Sequence, residues 1–194
     1  MCEYAAGARK PLLCAGLRRR GGYAMTDDHM GGPPLIARET GAQPPRLFRL
    51  GPQDADRYAD HLLRLDDEDR RFRFFDDAPE FMIMLHAGAA ASDGRIALGF
   101  EEGGEIRAVG ELLADPARPE VGELAFSVEK GWRRHGLGAA LMGGLIEAGA
   151  RAGFSTLELE FLANNAAMQA LARRFTPSIV RRDGRVVATI ASAG

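Results

Sequence analysis

"WRRHGLGAALM", residues 132–142, sets two arginines beside glycines spaced i, i+2 and runs directly into a helical pattern. Leu137, Ala140, Leu141, Leu145 and Ala148 share one stripe of that pattern, which predicts a helix over 136–152. The first turn of a helix leaves N–H groups without intrahelical acceptors, and the macrodipole makes that end electropositive. Gly136 and Gly138 remove the Cβ atoms that would hold a ligand at a distance. Arg133 and Arg134 add permanent charge suited to phosphate. Together they predict a phosphate-binding helix N-terminus, against the plainer alternative of a glycine-rich helix start with solvated arginines.

Strands flank this helix. "GELAFSV" (122–128) precedes it and "TLELEFL" (156–162) follows, so the three form a strand–helix–strand crossover. In the first strand Leu124, Phe126 and Val128 share one face, and Glu123 and Ser127 the other. Upstream, "RIALGFEEGGEIRAVGELLAD" (95–115) reads as two strands joined at Gly103-Gly104. A helix over 165–175 and a hairpin of 178–182 and 185–191, turned at Asp183-Gly184, close the chain. Order is expected to begin at "RLFRL" (46–50), a strand, followed by "GPQDADRYADHLLRL" as a helix with Asp54 as candidate N-cap. "LDDEDRRFRFF" (65–75) and "PEFMIMLHAG" (79–88) read as further helical turns, Pro79 favouring a first-turn position. The expected order is β-α-α-β-β-β-α-β-α-β-β, with a mixed sheet.

Residues 1 to about 45, punctuated by "GGPP" and "AQPP", show no sustained period and are expected to be a disordered leader ahead of one domain over 46–194. Among 194 residues, 46% hydrophobic and 27% charged is the balance of a globular domain. The net charge of −2 carries no whole-protein basic footprint, so nucleic acid is not an expected partner. A short basic run, Arg18 to Arg20, is read as solvated. No apolar run approaches the ~20 residues that span a bilayer, so no membrane partner is expected. The chain start lacks a secretory h-region, and Cys2 and Cys14 suggest reduced thiols, which together point to a cytoplasmic protein.

Three phosphate ligands compete for the glycine turn. A P-loop fails, because no Gly-x-x-x-x-Gly-Lys-Ser/Thr is present after Gly131. A dinucleotide fingerprint places Leu141 where its third glycine belongs, and a loop of several residues separates Val128 from the turn. The third is coenzyme A. Residues 123–175 resemble the GNAT family of N-acetyltransferases, whose pyrophosphate loop reads Arg/Gln-x-x-Gly-x-Gly/Ala. Arg133-Arg134-His135-Gly136-Leu137-Gly138 is a full match, and "NAAM" beginning at Asn165 also falls in the family's place.

The resemblance implies an α/β chain (α+β by some schemes) with the acyl-CoA N-acyltransferase fold: a mixed central sheet with a splayed parallel strand pair, flanked by helices. It implies acetyl-CoA as co-substrate, no metal, and transfer of the acetyl group to a primary amine of a protein lysine or a small molecule. Backbone amides of Arg134, His135, Gly136, Leu137, Gly138 and Ala139 would clasp the pyrophosphate, with Arg133 or Arg134 screening its charge. Phe126 and Val128 would offer main-chain hydrogen bonds to the pantetheine arm, and Asn165 would reach it from the other strand's side, besides being a good helix N-cap. Homodimerisation is left open.

Amine acylation needs a neutral amine, and a lysine of pKa about 10.4 is mostly protonated at pH 7, so a general base is expected. Glu123 lies about where related lysine acetyltransferases keep a glutamate base, and is the first candidate against a plain solvent-facing strand residue. Glu158 and Glu160 are alternatives, and His135 is expected to face solvent or phosphate. The family's acid tyrosine falls at Ala172, and the three tyrosines, Tyr4, Tyr23 and Tyr58, all lie far upstream. That departure keeps a second reading open, a non-catalytic acyl-CoA-binding module. "LDDEDRRFRFF" is similar to a segment of bacterial protein-lysine acetyltransferases, with aspartates at both of its serine positions. The alternative there is an amphipathic helix with Phe72, Phe74 and Phe75 in the core.

Overall fold

The computed structural model describes residues 46–90 and 94–192. The expectations for the leader and for both cysteines lie outside the described residues. In chain order the elements are strand β1 (Arg46–Arg49), helices α1 (Ala55–Leu63), α2 (Asp67–Phe74) and α3 (Glu80–Ala89), and strands β2 (Arg95–Glu102), β3 (Glu105–Asp115) and β4 (Arg118–Val128). They continue as α4 (Leu137–Ala152), β5 (Thr156–Leu162), α5 (Ala166–Ala172), β6 (Ile179–Arg182) and β7 (Arg185–Ala191).

Three helices stand between β1 and β2 where the written order has two. Asp66 starts α2 by accepting the Asp69 N–H at 2.9 Å. Phe75, at φ 64°, ends it in the left-handed region, and Pro79 precedes α3 instead of sitting inside its first turn. Asp54 flanks α1 but makes no bond to its first-turn amides. Its carboxylate accepts the Gly51 N–H at 2.9 Å and pairs with Arg57 at 2.9 Å, because a 3₁₀ turn over Pro52–Asp54 brings those donors closer. β4 begins four residues before the expected 122, since Asp115 accepts the Ala117 N–H and the turn after β3 is tight. α5 stops at Ala172, short of the expected 175.

Among the described residues seven strands form one sheet in the order β1-β2-β3-β4-β5-β7-β6. All neighbours are antiparallel except β4 and β5, so the sheet is mixed, as the crossover requires. The β4–β5 ladder runs only from Val121↔Thr156 to Leu124↔Leu159. Beyond it β4 stays paired with β3 through Val128, and β5 stays paired with β7 through Leu162. Each strand follows its other neighbour, and the two part.

Helices cover both faces. Leu137, Leu141, Met142 and Leu145 of α4 are buried against Leu98, Phe100, Leu112, Leu124, Leu157 and Leu159. Tyr58 and Leu62 of α1 and Ile83 and Ala87 of α3 pack on Ala97, Ile106 and Val109 of the opposite face. Each such leucine or isoleucine contributes about 1.5–3 kcal/mol by leaving water. A Cβ at Gly122 would meet Leu112 Cδ1 at 2.4 Å and Leu157 Cδ2 at 2.9 Å, so glycine is what lets the core close at the parallel rungs. Among the described residues no helix is long and apolar enough to cross a membrane.

Candidate active site

The parting of β4 and β5 exposes main chain inside the molecule. Glu129 N–H donates to Arg107 O at 3.1 Å. Antiparallel alternation from that bond turns the main-chain groups of Ser127, Ala125 and Glu123 to β3, and those of Phe126 and Val128 toward the splay. A cavity of about 1710 Å³ fills the splay. Glu123, Phe126, Val128, Arg133, Arg134, Gly136, Leu137, Gly138, Ala139 and Asn165 all line it; His135 does not and is exposed. The structure thus gathers all but one of the residues expected at the site around one space.

The loop at the mouth is shaped by two left-handed residues. Gly136 caps α4 at φ 82°, a conformation that costs an L-residue about 1–2 kcal/mol, and Arg134 holds φ 61°. The first helical bond is Ala140 N–H to Gly136 O at 3.0 Å, so the amides of Leu137, Gly138 and Ala139 precede it in the first turn. Leu137 is buried and anchors that turn in the core. The two arginines diverge. Arg134 is exposed, whereas Arg133 folds back, its Nε donating to Val128 O at 3.1 Å and its Nη2 meeting Asp69 of α2 at 2.5 Å. Lys130 forms a parallel ion pair with Asp66.

Glu123, Glu158 and Glu160 stand on β4 and β5 near the point where the strands divide. Glu123 pairs in register with Glu158, one rung before the ladder ends. Arg118 grips Glu158 with both Nη atoms at 2.8 Å and Asp115 through Nε at 2.7 Å, and these two hydrogen-bonded carboxylates raise the guanidinium well above its ordinary pKa. Glu160 pairs with Arg185 at 3.1 Å, and that guanidinium lies 4.5 Å from the Phe75 ring centroid. Both alternative bases are therefore engaged by an arginine. Asn165 caps α5, its Oδ1 accepting the Met168 N–H at 3.0 Å. Ala172 is fully enclosed in the core beneath it. Tyr58 is also fully buried, and burial raises its hydroxyl pKa out of working range.

Two polar clusters escaped the sequence reading. Glu111, on β3, is 1% exposed and accepts from Arg73 of α2, with His86 Nε2 of α3 at 2.8 Å. Burial alone would raise the Glu111 carboxyl, but the adjacent His86 and Arg73 hold it down at about 2. Burial also lowers His86, leaving it neutral near pH 7. The available signal was an acid between Val109 and Leu113 on an inward strand face. In the second cluster His61 Nε2 lies 2.9 Å from Ser127 Oγ and its Nδ1 3.2 Å from Glu129. The spacing is that of a Ser-His-acid triad. Yet the ring is wholly enclosed, and Glu129 is shared with Arg64 and Arg107, so the cluster ties α1 to β4.

Comparison with known proteins agrees with this geometry. The family model for the acetyltransferase (GNAT) family matches residues 59–176. No curated protein matches the chain in sequence. The fold is similar to the GNAT domain of S. lividans PAT, with TM-score 0.68 and 21% identity over 76% of this chain and 90% of that one. It is also similar to the ribosomal-protein-S18-alanine N-acetyltransferase of Escherichia coli, with TM-score 0.60 and 18% identity over 77% of this chain and 95% of that one. A Salmonella typhimurium protein described as an acetyltransferase, solved with its cofactor acetyl-CoA, has TM-score 0.59 and 14% identity over 77% and 94%. A helix N-terminus set at the mouth of a parting parallel strand pair, within a stretch that the family model matches over more than half the chain, leads to one conclusion: the chain belongs to the GNAT acetyltransferase family, the acyl-CoA-dependent N-acyltransferases.

Proposed function

We propose that residues 46–194 form a catalytic domain that transfers an acetyl group directly from acetyl-CoA to a primary amine, of a protein lysine or a small molecule. The observation that carries this reading is the end of the β4–β5 ladder at Leu124↔Leu159, with the first turn of α4 at the mouth of the resulting cleft. The residues present suit acetyl-CoA. The amides of Gly136, Leu137, Gly138 and Ala139, aided by exposed Arg134, bind a pyrophosphate. The main chain of Phe126 and Val128 holds a pantetheine arm along β4, with Asn165 on the opposite wall. When bound, acetyl-CoA supplies an acyl carbon activated as a thioester.

Glu123 takes the proton of the incoming ammonium, directly or through water, at the point where the strands part. Arg118 engages both oxygens of Glu158, the carboxylate that shares a rung with Glu123. β4 main-chain N–H groups orient and polarise the carbonyl. No acid is demanded of position 172, because thiols ionise near pKa 8.5. The similarity of α2 to the protein-lysine acetyltransferase segment supports a protein lysine as acceptor. Alanine at the position of the family's tyrosine, 172, favours the second reading, an acyl-CoA-binding module without turnover.

Acetyl-CoA turnover measured over a panel of lysine peptides and small amines separates the two. Binding of acetyl-CoA with no product on any acceptor would overturn the catalytic reading. With an active acceptor in hand, Glu123→Gln is expected to lower kcat about 10²–10⁴-fold while acetyl-CoA affinity stays within about twofold. An unchanged kcat would remove Glu123 from the role of base.

A further inference from the structure

We propose that Asp69 of α2 is a positioning residue for the acetyl-CoA site, acting through Arg133. The inference rests on the reading of the cleft given above. Arg133 belongs to the phosphate-loop motif, yet its guanidinium is engaged by groups of the protein itself. Nε holds the last carbonyl of β4, Val128 O, at 3.1 Å, and Nη2 holds Asp69 at 2.5 Å. One planar fork therefore joins the end of β4, the loop and the helix facing them.

Asp69 is built for this. It is 8% exposed, and its own N–H is held by the cap residue Asp66 at 2.9 Å, so backbone and carboxylate are both fixed. A carboxylate so enclosed is costly without its cation, which gives the pair a defined geometry. Asp66 repeats the tie one turn earlier through Lys130, at a more exposed site. Between Val128 and Leu137 the chain runs without a strand or α-helix through residues 129–136, and ordering it costs about 1–2 kcal/mol per residue in backbone entropy. The Asp66–Lys130 and Asp69–Arg133 pairs hold that segment before ligand arrives. They thereby set the direction of the α4 first-turn amides relative to Phe126 and Val128.

The single tryptophan, Trp132, lies inside this segment, lines the cavity and has Arg107 5.7 Å from its ring centroid, so its fluorescence reports on the loop without any acceptor. Full-length protein is titrated with acetyl-CoA by Trp132 fluorescence and by calorimetry. Asp69→Asn is expected to weaken binding about tenfold, Asp69→Glu to restore most of it, and Arg133→Gln to weaken it comparably. The double variant Asp69→Asn/Arg133→Gln should bind no more weakly than either single one, since both remove the same link. Should Asp69→Asn fail to fold, Arg133→Lys leaves Asp69 its cation but breaks the fork, and weaker binding is again expected. Wild-type affinity in Asp69→Asn or Arg133→Lys, or additive losses in the double variant, overturn the clamp alone. A wild-type chain that binds no acetyl-CoA overturns both the clamp and the proposed function.

Discussion

Position 172 carries an alanine that is fully buried in the main core cluster. Counting along "NAAMQALARRF" shows that the family's tyrosine is missing there, but the count does not reveal where the side chain points. α5 ends at Ala172 and turns that residue into the core, outside the lining of the cleft. Ala172→Tyr is therefore expected to overpack, lowering stability by about 1–3 kcal/mol or more, with no gain in turnover. Thermal denaturation and initial rates test this together; a stable, faster variant would refute it. Arg133 teaches the same lesson at the other end of the site. Its residue type and place in the motif indicated phosphate. Its direction is set by Asp69, which lies far away in sequence and adjacent in space.

At the scale of elements, period-two strands were the most legible. β5 spans the expected 156–162, and the Gly103-Gly104 and Asp183-Gly184 turns fall where the sequence placed them. Helix ends were less so, because several nearby donors compete for each capping carboxylate; Asp54 is taken by Gly51 and Arg57. The start of α4 combines both kinds of information. Glycine at 136 is needed for φ 82°, and the amides that follow lie at the electropositive end of the helix. Gly136→Ala is expected to cost about 1–2 kcal/mol of stability and to weaken acetyl-CoA binding by redirecting those amides. Calorimetric titration checks the second effect, and undiminished affinity would mean that the amides of α4 do not hold the ligand.

Across the whole molecule the least legible feature is the buried charge between the sheet and α2–α3. Glu111 is brought from an ordinary 4.5 to about 2 by His86 and Arg73, against the opposing effect of burial. A folded-state pKa below the unfolded one stabilises the protein above pH 4.5, and that stability is lost as pH falls from 4.5 toward 2. His61 and His86, lowered by burial, act with the same sign, beginning as pH drops below their ordinary 6.5. Calorimetric melting is thus expected to show a falling midpoint on acidification. Glu111→Gln should flatten that fall below pH 4.5 and cost about 3–5 kcal/mol at neutral pH, since it strands Arg73. A wild-type pH profile in that variant would show the pair to be energetically silent. The strand–helix–strand order and the electropositive glycine turn follow from the sequence alone, because periodicity, glycine conformation and the helix dipole act within a few neighbouring residues. The splay beyond Leu124, the grip of Arg118 on Glu158, the turn of Arg133 onto Asp69 and the burial of Glu111 were decided by tertiary structure. Each depends on how strands pair and helices pack between segments far apart along the chain.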